Sequence, residues 1–461
     1  MSESNVIKER YTANFVWGLF VVFTVVYGII VAIIEHGSYA FMSVIEGLIA
    51  IYRSPSVLLH DYFAIAGVGA TFLNSAMSVL LVLGAFKFAK LPLGGPQMGV
   101  LGLVMGFALL GKNPINMFPI LLGAYIYSLY KKEPFKNHVT LAGFSTCLAP
   151  VVNSPIHIPE IVAAIGTSGA VILGVSLGLF VGFVINSMGA FIKKSHEGLN
   201  LYNIGWGAGL ISMVIAAGYS AVGIERFGPG TDYKQGYSIY DAFGASDYFN
   251  TKLIIYLVLV VVFFFVMSLL AGGRRSYKLP EILYMKADDN LFYAKYGSGP
   301  TFMAMGCLAL MSLTLILIFQ VHLNAPIIGA IISMIGWGGF GKAVANCAAI
   351  ISGVILGAIG RFLLAPGFLG HMTLLHYFST QDVIWSSAFW GTCLSPMAKY
   401  FGWRWALLIG LVHFVFVLYV APFHKGMNLY NNGLAAGLVC LVMIPLIRSF
   451  DKAGKYPPRA V

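Results

Sequence analysis

The sequence predicts an all-α polytopic membrane protein built from two homologous halves. Of its 461 residues, 59% are hydrophobic and only 10% are charged, whereas a soluble domain carries about 25% charged residues. Apolar runs recur along the chain, and many approach the roughly 20 residues that a helix needs to cross a bilayer. Helices are expected because a backbone that faces lipid must satisfy its own hydrogen bonds, and the runs are too apolar for the alternating strands of a barrel.

A motif that occurs twice is the main sign of a duplication. Residues 196–210 read HEGLNLYNIGWGAGL, and residues 424–438 read HKGMNLYNNGLAAGL. Ten of these fifteen positions are identical. Each copy precedes an apolar run and lies late in its own half, so the chain is interpreted as two copies of one unit.

Further segments align at a constant offset of 230 residues. The matched pairs are Gly67 with Gly297, Thr71 with Thr301, Pro96 with Pro326, Gly99 with Gly329, Lys112 with Lys342, Asn116 with Asn346, and Gly123 with Gly353. The sequence TCLAP at 146–150 also matches TCLSP at 392–396. The two halves then differ by insertions, so the offset changes along the chain.

The repeat and the polarity divide the chain into five parts. They are a cytoplasmic N-terminus (1–13), a first membrane repeat (14–223), a polar extracytoplasmic connector (224–251), a second membrane repeat (252–449) and a cytoplasmic tail (450–461). The first apolar run is too long for the core of a signal peptide, so it is expected to remain as a membrane span.

Fourteen segments are candidate spans, seven in each half. They are 14–34, 64–86, 97–111, 114–130, 139–153, 168–191 and 205–223, then 252–272, 301–320, 326–340, 344–364, 383–397, 405–422 and 433–448. An odd number of spans in each half gives the second half the opposite orientation to the first. Several segments are short and are expected to be broken or re-entrant helices, as in inverted-repeat transporters.

The positive charges predict the orientation. The formal net charge is +11, and with a cytoplasmic N-terminus most lysines and arginines of the short loops fall on the cytoplasmic side, although several lie on the other side. Both termini are therefore expected in the cytoplasm, and the location is expected to be a bacterial cytoplasmic (inner) membrane. No basic stripe with interleaved aromatic residues is present, so nucleic acid is not expected as a partner.

Two lysines at equivalent repeat positions are the first candidates for a binding site. Lys112 and Lys342 each follow a strongly apolar, glycine-rich segment, and Asn116 and Asn346 come four residues later. A charge inside a membrane span is expensive and is therefore a sign of function. The helix N-terminal amides expected here favour anions. The alternative is that these lysines reach the membrane surface from short turns between spans.

The repeated motif supplies the second set of candidates. Its amide and phenol groups could bind a polar solute at a break in a helix; they belong to Asn200, Tyr202, Asn203, Asn428, Tyr430 and Asn431. His196 and His424 could titrate near neutral pH and serve in coupling or gating. The alternative is that the asparagines cap the following helices and the tyrosines anchor at the membrane interface.

An insertion in the first half holds the third set. The stretch 153–160 reads NSPIHIPE and has no counterpart in the second half. His157 and Glu160 are candidates for a proton-coupling pair or an outer gate, and a solvated outer loop is the alternative.

Several classes of function are disfavoured. No aspartate or glutamate lies in the middle of a predicted span, which argues against a transporter of metal cations. The chain has no phosphate-binding loop and no motif of a zinc protease or of a serine hydrolase. The five cysteines have no metal-ligand spacing. No enzymatic activity, cofactor or metal is therefore expected.

The tandem pattern resembles an uncharacterised bacterial family of polytopic membrane proteins that is described only as a repeated domain of unknown function. Both copies of the His-x-Gly-x-Asn-Leu-Tyr-Asn motif are the most specific part of this resemblance, which covers nearly the whole chain and implies no substrate. The seven-plus-seven plan also resembles that of nucleobase and anion transporters with inverted repeats. This second likeness is one of architecture alone.

The sequence favours a secondary transporter for a small polar or anionic solute, with a site between the two inverted repeats and alternating access to it. The alternatives are a passive channel for a small polar solute and the membrane subunit of a sugar phosphotransfer system. The expected partners are the solute, the lipid bilayer and, as a possibility, further copies of the chain.

Overall fold

The computed structural model describes residues 3–58, 60–224, 247–272, 280–284, 291–364 and 372–459. The described residues of the first half form nine α-helices: α1 (Glu3–His36), α2 (Ala40–Arg53), α3 (Tyr62–Phe88), α4 (Gly95–Phe107), α5 (Pro114–Lys131), α6 (Val139–Ser145), α7 (Ala149–Asn153), α8 (Pro159–Ser195) and α9 (Asn203–Ala221). All the regular secondary structure of the described residues is helical, which confirms the predicted all-α class.

The second half follows a similar order, with α15 added in its insertion and no described counterpart of α2. Its described helices are α10 (Asp247–Gly272), α11 (Phe292–Tyr296), α12 (Ser298–Phe319), α13 (Ala325–Gly336), α14 (Val344–Leu364), α15 (Leu374–Thr380), α16 (Asp382–Gly391), α17 (Ser395–Phe401), α18 (Trp403–Val420) and α19 (Asn431–Phe450). Most of the predicted connector, residues 225–246, lies outside the described residues.

Ten helical segments in the described part of the chain are long and apolar enough to cross a membrane. They coincide with ten of the fourteen predicted spans. The other four predicted spans fall on α4, α5, α13 and α16 with the start of α17. Of these, α4 and α13 are shorter apolar helices. The chain is therefore a polytopic membrane protein in which some segments are short.

The two halves break their helices at equivalent glycines. Gly67 interrupts α3 with a φ of 76°, and Gly297 separates α11 from α12 with a φ of 82°. Two further breaks lie at glycines that are not equivalent in the repeat: Gly166 interrupts α8 with a φ of 69°, and Gly402 precedes α18 with a φ of 89°. Only glycine adopts these positive φ values without strain, so glycines determine where these four breaks lie, and the break at Gly67 and Gly297 is common to both halves.

Helices α4 and α13 run antiparallel through the middle of the protein with their backbones in contact. A Cβ on Gly95 would lie 2.5 Å from the Gly339 oxygen, whereas one on Gly106, a helix length away, would lie 2.2 Å from the Gly329 oxygen. The order of contacts along one helix is reversed along the other. Helices that are equivalent in the repeat thus point in opposite directions.

A second equivalent pair, α1 and α10, is also antiparallel. Glu35, near the end of α1, forms an ion pair with Lys252, near the start of α10. Farther from this end, Thr24 Oγ1 is 3.1 Å from the Tyr256 hydroxyl. Such reversed pairs are the arrangement expected of two inverted repeats.

Helices α9 and α19 begin side by side and then separate. Their first turns meet so closely that a Cβ on Gly205 would lie 2.8 Å from the Gly433 Cα. Beyond the far end of α9, Ile224 O accepts a hydrogen bond from Lys425, whereas α19 ends beside Glu197. The two motif copies that precede these helices therefore cross the interior from opposite ends.

Candidate functional site

Lys112 lies in the turn between α4 and α5 and is completely buried. Its Nζ donates a hydrogen bond of 2.8 Å to the Tyr430 hydroxyl and lies 4.6 Å from the centroid of the same ring. The Asn74 side chain holds the turn in place, because its Nδ2 donates to the carbonyl oxygens of Ala108 and Lys112 at 2.7 and 2.9 Å. The lysine is at a turn, as the alternative interpretation had it, but it is enclosed by protein.

Lys342 occupies the same place in the second half and is also completely buried. Its Nζ donates to the Tyr202 hydroxyl at 3.0 Å and to Thr392 Oγ1 at 2.8 Å. The ammonium group lies 4.5 Å from the centroid of the Tyr202 ring. Both lysines therefore combine a hydrogen bond to a phenol with a cation–π contact.

The pairing is reciprocal between the halves. The lysine of the first half binds the tyrosine of the second motif, and the lysine of the second half binds the tyrosine of the first motif. The two tyrosine rings stand beside one another, with their centroids 6.3 Å apart. These four residues, Lys112, Tyr202, Lys342 and Tyr430, form what we call the lysine–tyrosine centre, and it lies on the pseudo-two-fold axis that relates the halves.

The lysine–tyrosine centre brings together two buried lysines and four helix N-termini. Among the described residues, neither lysine forms an ion pair with a carboxylate. Helices α5 and α14 begin two residues after the lysines, and α9 and α19 begin directly after the tyrosines. Since a helix N-terminus carries about half a positive charge, these four starts add to the field of the lysines. The chemistry of such a site suits an anion.

Asn200 and Asn428 place the two tyrosines. Asn200 Oδ1 accepts from the Tyr202 backbone N–H at 2.9 Å, and its Nδ2 donates to Gly433 O at 3.0 Å. Asn428 repeats both bonds, to the Tyr430 N–H at 3.0 Å and to Gly205 O at 2.9 Å. Each asparagine thus ties its own motif to the first turn of the other half's helix.

The backbone adds a second link of the same kind. The Leu201 N–H donates to Cys393 O at 2.9 Å, and the Leu429 N–H donates to Cys147 O at 3.0 Å. The acceptors lie in the short 3₁₀ turns at 392–394 and 146–148, within the Thr-Cys-Leu-x-Pro repeats. Each motif is therefore anchored in the opposite half by main-chain as well as side-chain bonds.

The remaining predicted asparagines lie in first turns of helices. Asn116 forms a capping box with Asn113 at the start of α5, and its Nδ2 donates to Gly111 O at 3.0 Å. Asn346 is buried in the first turn of α14. Asn203 and Asn431 are the first residues of α9 and α19. The structure therefore places Asn116 beside the lysine turn as a capping residue.

The motif histidines are buried and take part in the local bonding. His196 Nδ1 accepts from the Asn200 backbone N–H at 3.4 Å. His424 Nδ1 likewise accepts from the Asn428 N–H at 3.3 Å, and its Nε2 is 2.9 Å from Asn431 Oδ1. Both histidines support the turn that carries the asparagine and the tyrosine.

The insertion residues lie apart from the lysine–tyrosine centre. His157 ends the short 3₁₀ turn before α8, and Glu160 is exposed in the first turn of α8. The nearby polar network is built on Ser56, whose Oγ is 2.9 Å from the Tyr62 hydroxyl and accepts a bond of 2.8 Å from Asn153 Nδ2. His157 and Glu160 therefore belong to one end of the bundle.

Thr392 and three aromatic residues of the site were not predicted from the sequence. Thr392 Oγ1 accepts from Lys342, whereas its repeat partner Thr146 bonds to Gly143 O. Phe107 and Trp337 pack on the site, with ring centroids 4.7 Å from Tyr430 and 5.7 Å from Tyr202, and Trp390 stacks on Phe107 at 4.6 Å. The occurrence of Thr-Cys-Leu-x-Pro in both halves is the sequence feature that could have identified Thr392.

Replacing Asn200 by alanine should displace the Tyr202 side chain and lower the free energy of unfolding by about 1–3 kcal/mol, because the Gly433 carbonyl and the Tyr202 N–H lose their buried partner. Thermal unfolding of the detergent-solubilised protein measures the loss. Asn203→Ala is the matched control, since Asn203 is only partly buried in the same motif. Equal stability of the two variants would contradict a positioning role for Asn200.

A latch on one face joins the first motif to the C-terminal tail. Arg448 donates from both terminal nitrogens to Glu197, at 2.6 and 2.7 Å, and the Arg459 N–H donates to the same carboxylate at 3.0 Å. Arg448 Nε also donates to Tyr456 O at 2.9 Å. The tail is therefore fastened across the end of α19.

Glu197→Gln should release residues 451–459, because the amide cannot accept two charge-assisted bonds from Arg448. The bonds from Arg448 hold the pKa of Glu197 below its usual value, so the unmodified latch is stable at neutral pH and weakens as the pH falls below about 4. The line shape of a spin label at a cysteine replacing Lys455 measures the release. Glu160→Gln, at an exposed glutamate, is the control, and an immobile tail in Glu197→Gln would contradict the latch.

A family model described as "Protein of unknown function (DUF1576)" matches residues 41–221 and again residues 279–449. These two matches confirm the tandem repeat and the predicted resemblance to a family with a repeated domain of unknown function. No curated protein and no solved structure matches the chain.

Proposed function

The chain belongs to the family described as protein of unknown function (DUF1576), and we propose that it is a secondary transporter for a small polar or anionic solute, with anions preferred. The solute binds at the lysine–tyrosine centre. The observation that carries this proposal is the pair of completely buried lysines, Lys112 and Lys342, whose hydrogen bonds go to hydroxyl groups.

The cost of these lysines supports an anionic ligand. A charge that leaves water for an apolar interior loses several kcal/mol of solvation unless a partner compensates it. Phenol and threonine hydroxyls compensate only part of this cost, because they carry no negative charge. An anion that arrives between the lysines supplies the missing charge, and the binding energy is correspondingly large.

The inverted repeats support transport by alternating access. In transporters built this way, the solute site lies at the interface of the repeats, at the ends of interrupted helices. Here the two motif copies connect α8 to α9 and α18 to α19, and they place the N-termini of α9 and α19 in the protein interior. One motif enters the centre from each end of the bundle, so rocking of one half against the other opens the site to one end at a time.

The proposed setting is a cytoplasmic membrane with both termini in the cytoplasm. The charge asymmetry of the short loops supports this orientation. In it, the Glu197–Arg448 latch lies at the cytoplasmic end, and the bond from Lys425 to Ile224 O lies at the opposite end.

Uptake into proteoliposomes tests the function. Vesicles with the purified full chain receive labelled carboxylates, phosphate, nucleobases, sugars and urea in turn, with and without sodium and a proton gradient. We expect saturable uptake of an anion that is accelerated by the same anion on the other side. The double variant Lys112→Met/Lys342→Met should lose this uptake, and the exposed-lysine control Lys131→Met should keep it.

Two outcomes would contradict the proposal. Flux that neither saturates nor shows counterflow would identify a passive channel. If the protein is folded but takes up no tested solute faster than protein-free vesicles do, transport of this solute class would be rejected.

A further inference from the structure

The lysine–tyrosine centre holds two positive groups. Lys112 and Lys342 come from different halves, and both side chains are completely buried. Each ammonium lies against the ring of a different tyrosine, and those two rings are neighbours. The site therefore has one ammonium and one phenol on each side of the pseudo-two-fold axis.

Charge balance limits what such a site holds well. A monoanion compensates one lysine and leaves the other buried charge without a counter-charge, which is the costly state for a buried ion. A ligand with two negative charges removes both costs at once. From this balance we propose that the solute is a dianion with two separated charged ends, one at each lysine, such as an α,ω-dicarboxylate. This inference rests on the function proposed above.

The hydrogen-bonding capacity of each side fits one carboxylate. An ammonium has three N–H donors; Lys112 directs one of them to Tyr430, and Lys342 directs two of them to Tyr202 and Thr392. Each tyrosine hydroxyl accepts from its lysine and still has its own proton to donate. Every side thus offers an ammonium N–H and a phenol O–H, which match the two oxygens of a carboxylate.

The aromatic residues beside the tyrosine pair fit an apolar spacer. Phe107 packs on Tyr430 and Trp337 packs on Tyr202, so aromatic rings flank the tyrosine pair. Methylene groups between two carboxylates match these rings, whereas sulfate or hydrogen phosphate concentrates both charges on one centre. The arrangement therefore favours charges at the two ends of a short chain.

Binding to the purified full chain tests the inference. Isothermal titration compares malonate, succinate, glutarate and adipate with the monoanions propionate and butyrate and with sulfate. The second charge-assisted contact should make the best dicarboxylate bind about 10- to 100-fold more tightly than the monoanion of similar length. We expect sulfate to bind more weakly than the best dicarboxylate.

Single-lysine variants provide the sharper comparison. Lys112→Gln and Lys342→Gln should each lose the preference for the dicarboxylate and keep the binding of the monoanion within a few-fold, because one lysine and one negative charge then balance. Lys131→Gln, at an exposed lysine, should keep the preference. The melting temperature of each variant shows that it is folded.

The possible failures are distinguishable. If monoanions or sulfate bind as tightly as every dicarboxylate, or if each single variant weakens both ligand classes equally, the two-ended dianion is rejected while anion transport stands. If no anion binds the folded wild-type chain, both this inference and its basis in an anion site are rejected.

Discussion

Lys112→Met should weaken the binding of the best dicarboxylate by about 10- to 100-fold and at the same time raise the melting temperature of the protein. Methionine fills a similar volume and removes a buried charge whose hydrogen bond goes to Tyr430. Replacing a buried ion pair by well-packed apolar residues is often neutral or stabilising by roughly 1–4 kcal/mol, and Lys112 has no carboxylate partner among the described residues to lose. A loss of affinity together with a gain in stability identifies a residue that contributes to ligand binding at the expense of stability.

Thermal unfolding and titration of the same samples measure the two effects. Lys131→Met is the control, because Lys131 is exposed at the end of α5 and should change neither quantity by much. A Lys112→Met protein that is less stable than wild type would instead make the lysine a structural element of the turn between α4 and α5.

Gly106→Val should destabilise the protein by roughly 3 kcal/mol or more, at the upper end of the cost of overpacking a core. A Cβ at this position would lie 2.2 Å from the Gly329 oxygen and 2.4 Å from Ser333 Oγ. The closest neighbour is backbone, so the clash separates α4 from α13. The separation would also disturb both lysine turns, because Lys112 follows α4 and Lys342 follows α13.

Expression level and the melting temperature in detergent measure this effect. Gly84→Val on α3 is the matched control, because a Cβ there has no atom within 4 Å. If the two variants were equally stable, the close contact of α4 and α13 would not be a requirement of the fold.

The helices and the duplication could be predicted because their signals are local. Hydropathy marks a span wherever it occurs, and the offset of 230 residues aligns Lys112 with Lys342 by comparison of the chain with itself. The repeat therefore pairs these two residues without any information on their contacts. The sequence did not show whether each lysine is buried or reaches the surface from a turn, because that depends on the packing around it.

The reciprocal contacts could not be predicted in this way. Lys112 and Tyr430 are 318 residues apart, and self-alignment shows which positions are equivalent without showing which ones touch. The sequence allowed two interpretations of the motif asparagines, as solute ligands or as helix caps. The structure instead directs Asn200 Nδ2 to a carbonyl group of the opposite half, a partner that no local pattern encodes.

A buried carboxylate illustrates the same limit. Asp61 lies outside every predicted span, so hydropathy gave it no weight. It caps α3 through bonds from the Phe63 and Ala64 N–H groups, at 2.8 and 3.3 Å, and the Ala325 N–H at the start of α13 adds a third bond at 3.4 Å. Its burial depends on a helix of the other half, so it could not be predicted from the local sequence.

The exchange of lysine and tyrosine partners between the halves also has an evolutionary meaning. In a symmetric dimer, if residue i of one copy touches residue j of the other, then j of the first also touches i of the second. The pairs Lys112–Tyr430 and Lys342–Tyr202 obey this rule within one chain. A single ancestral half could therefore have built the same centre as an antiparallel homodimer, provided that its copies inserted into the membrane in both directions. Fusion of two such copies would have placed one half of each orientation in every molecule. The two halves could then diverge: Thr392 accepts a hydrogen bond from Lys342, whereas the equivalent Thr146 bonds to Gly143 O.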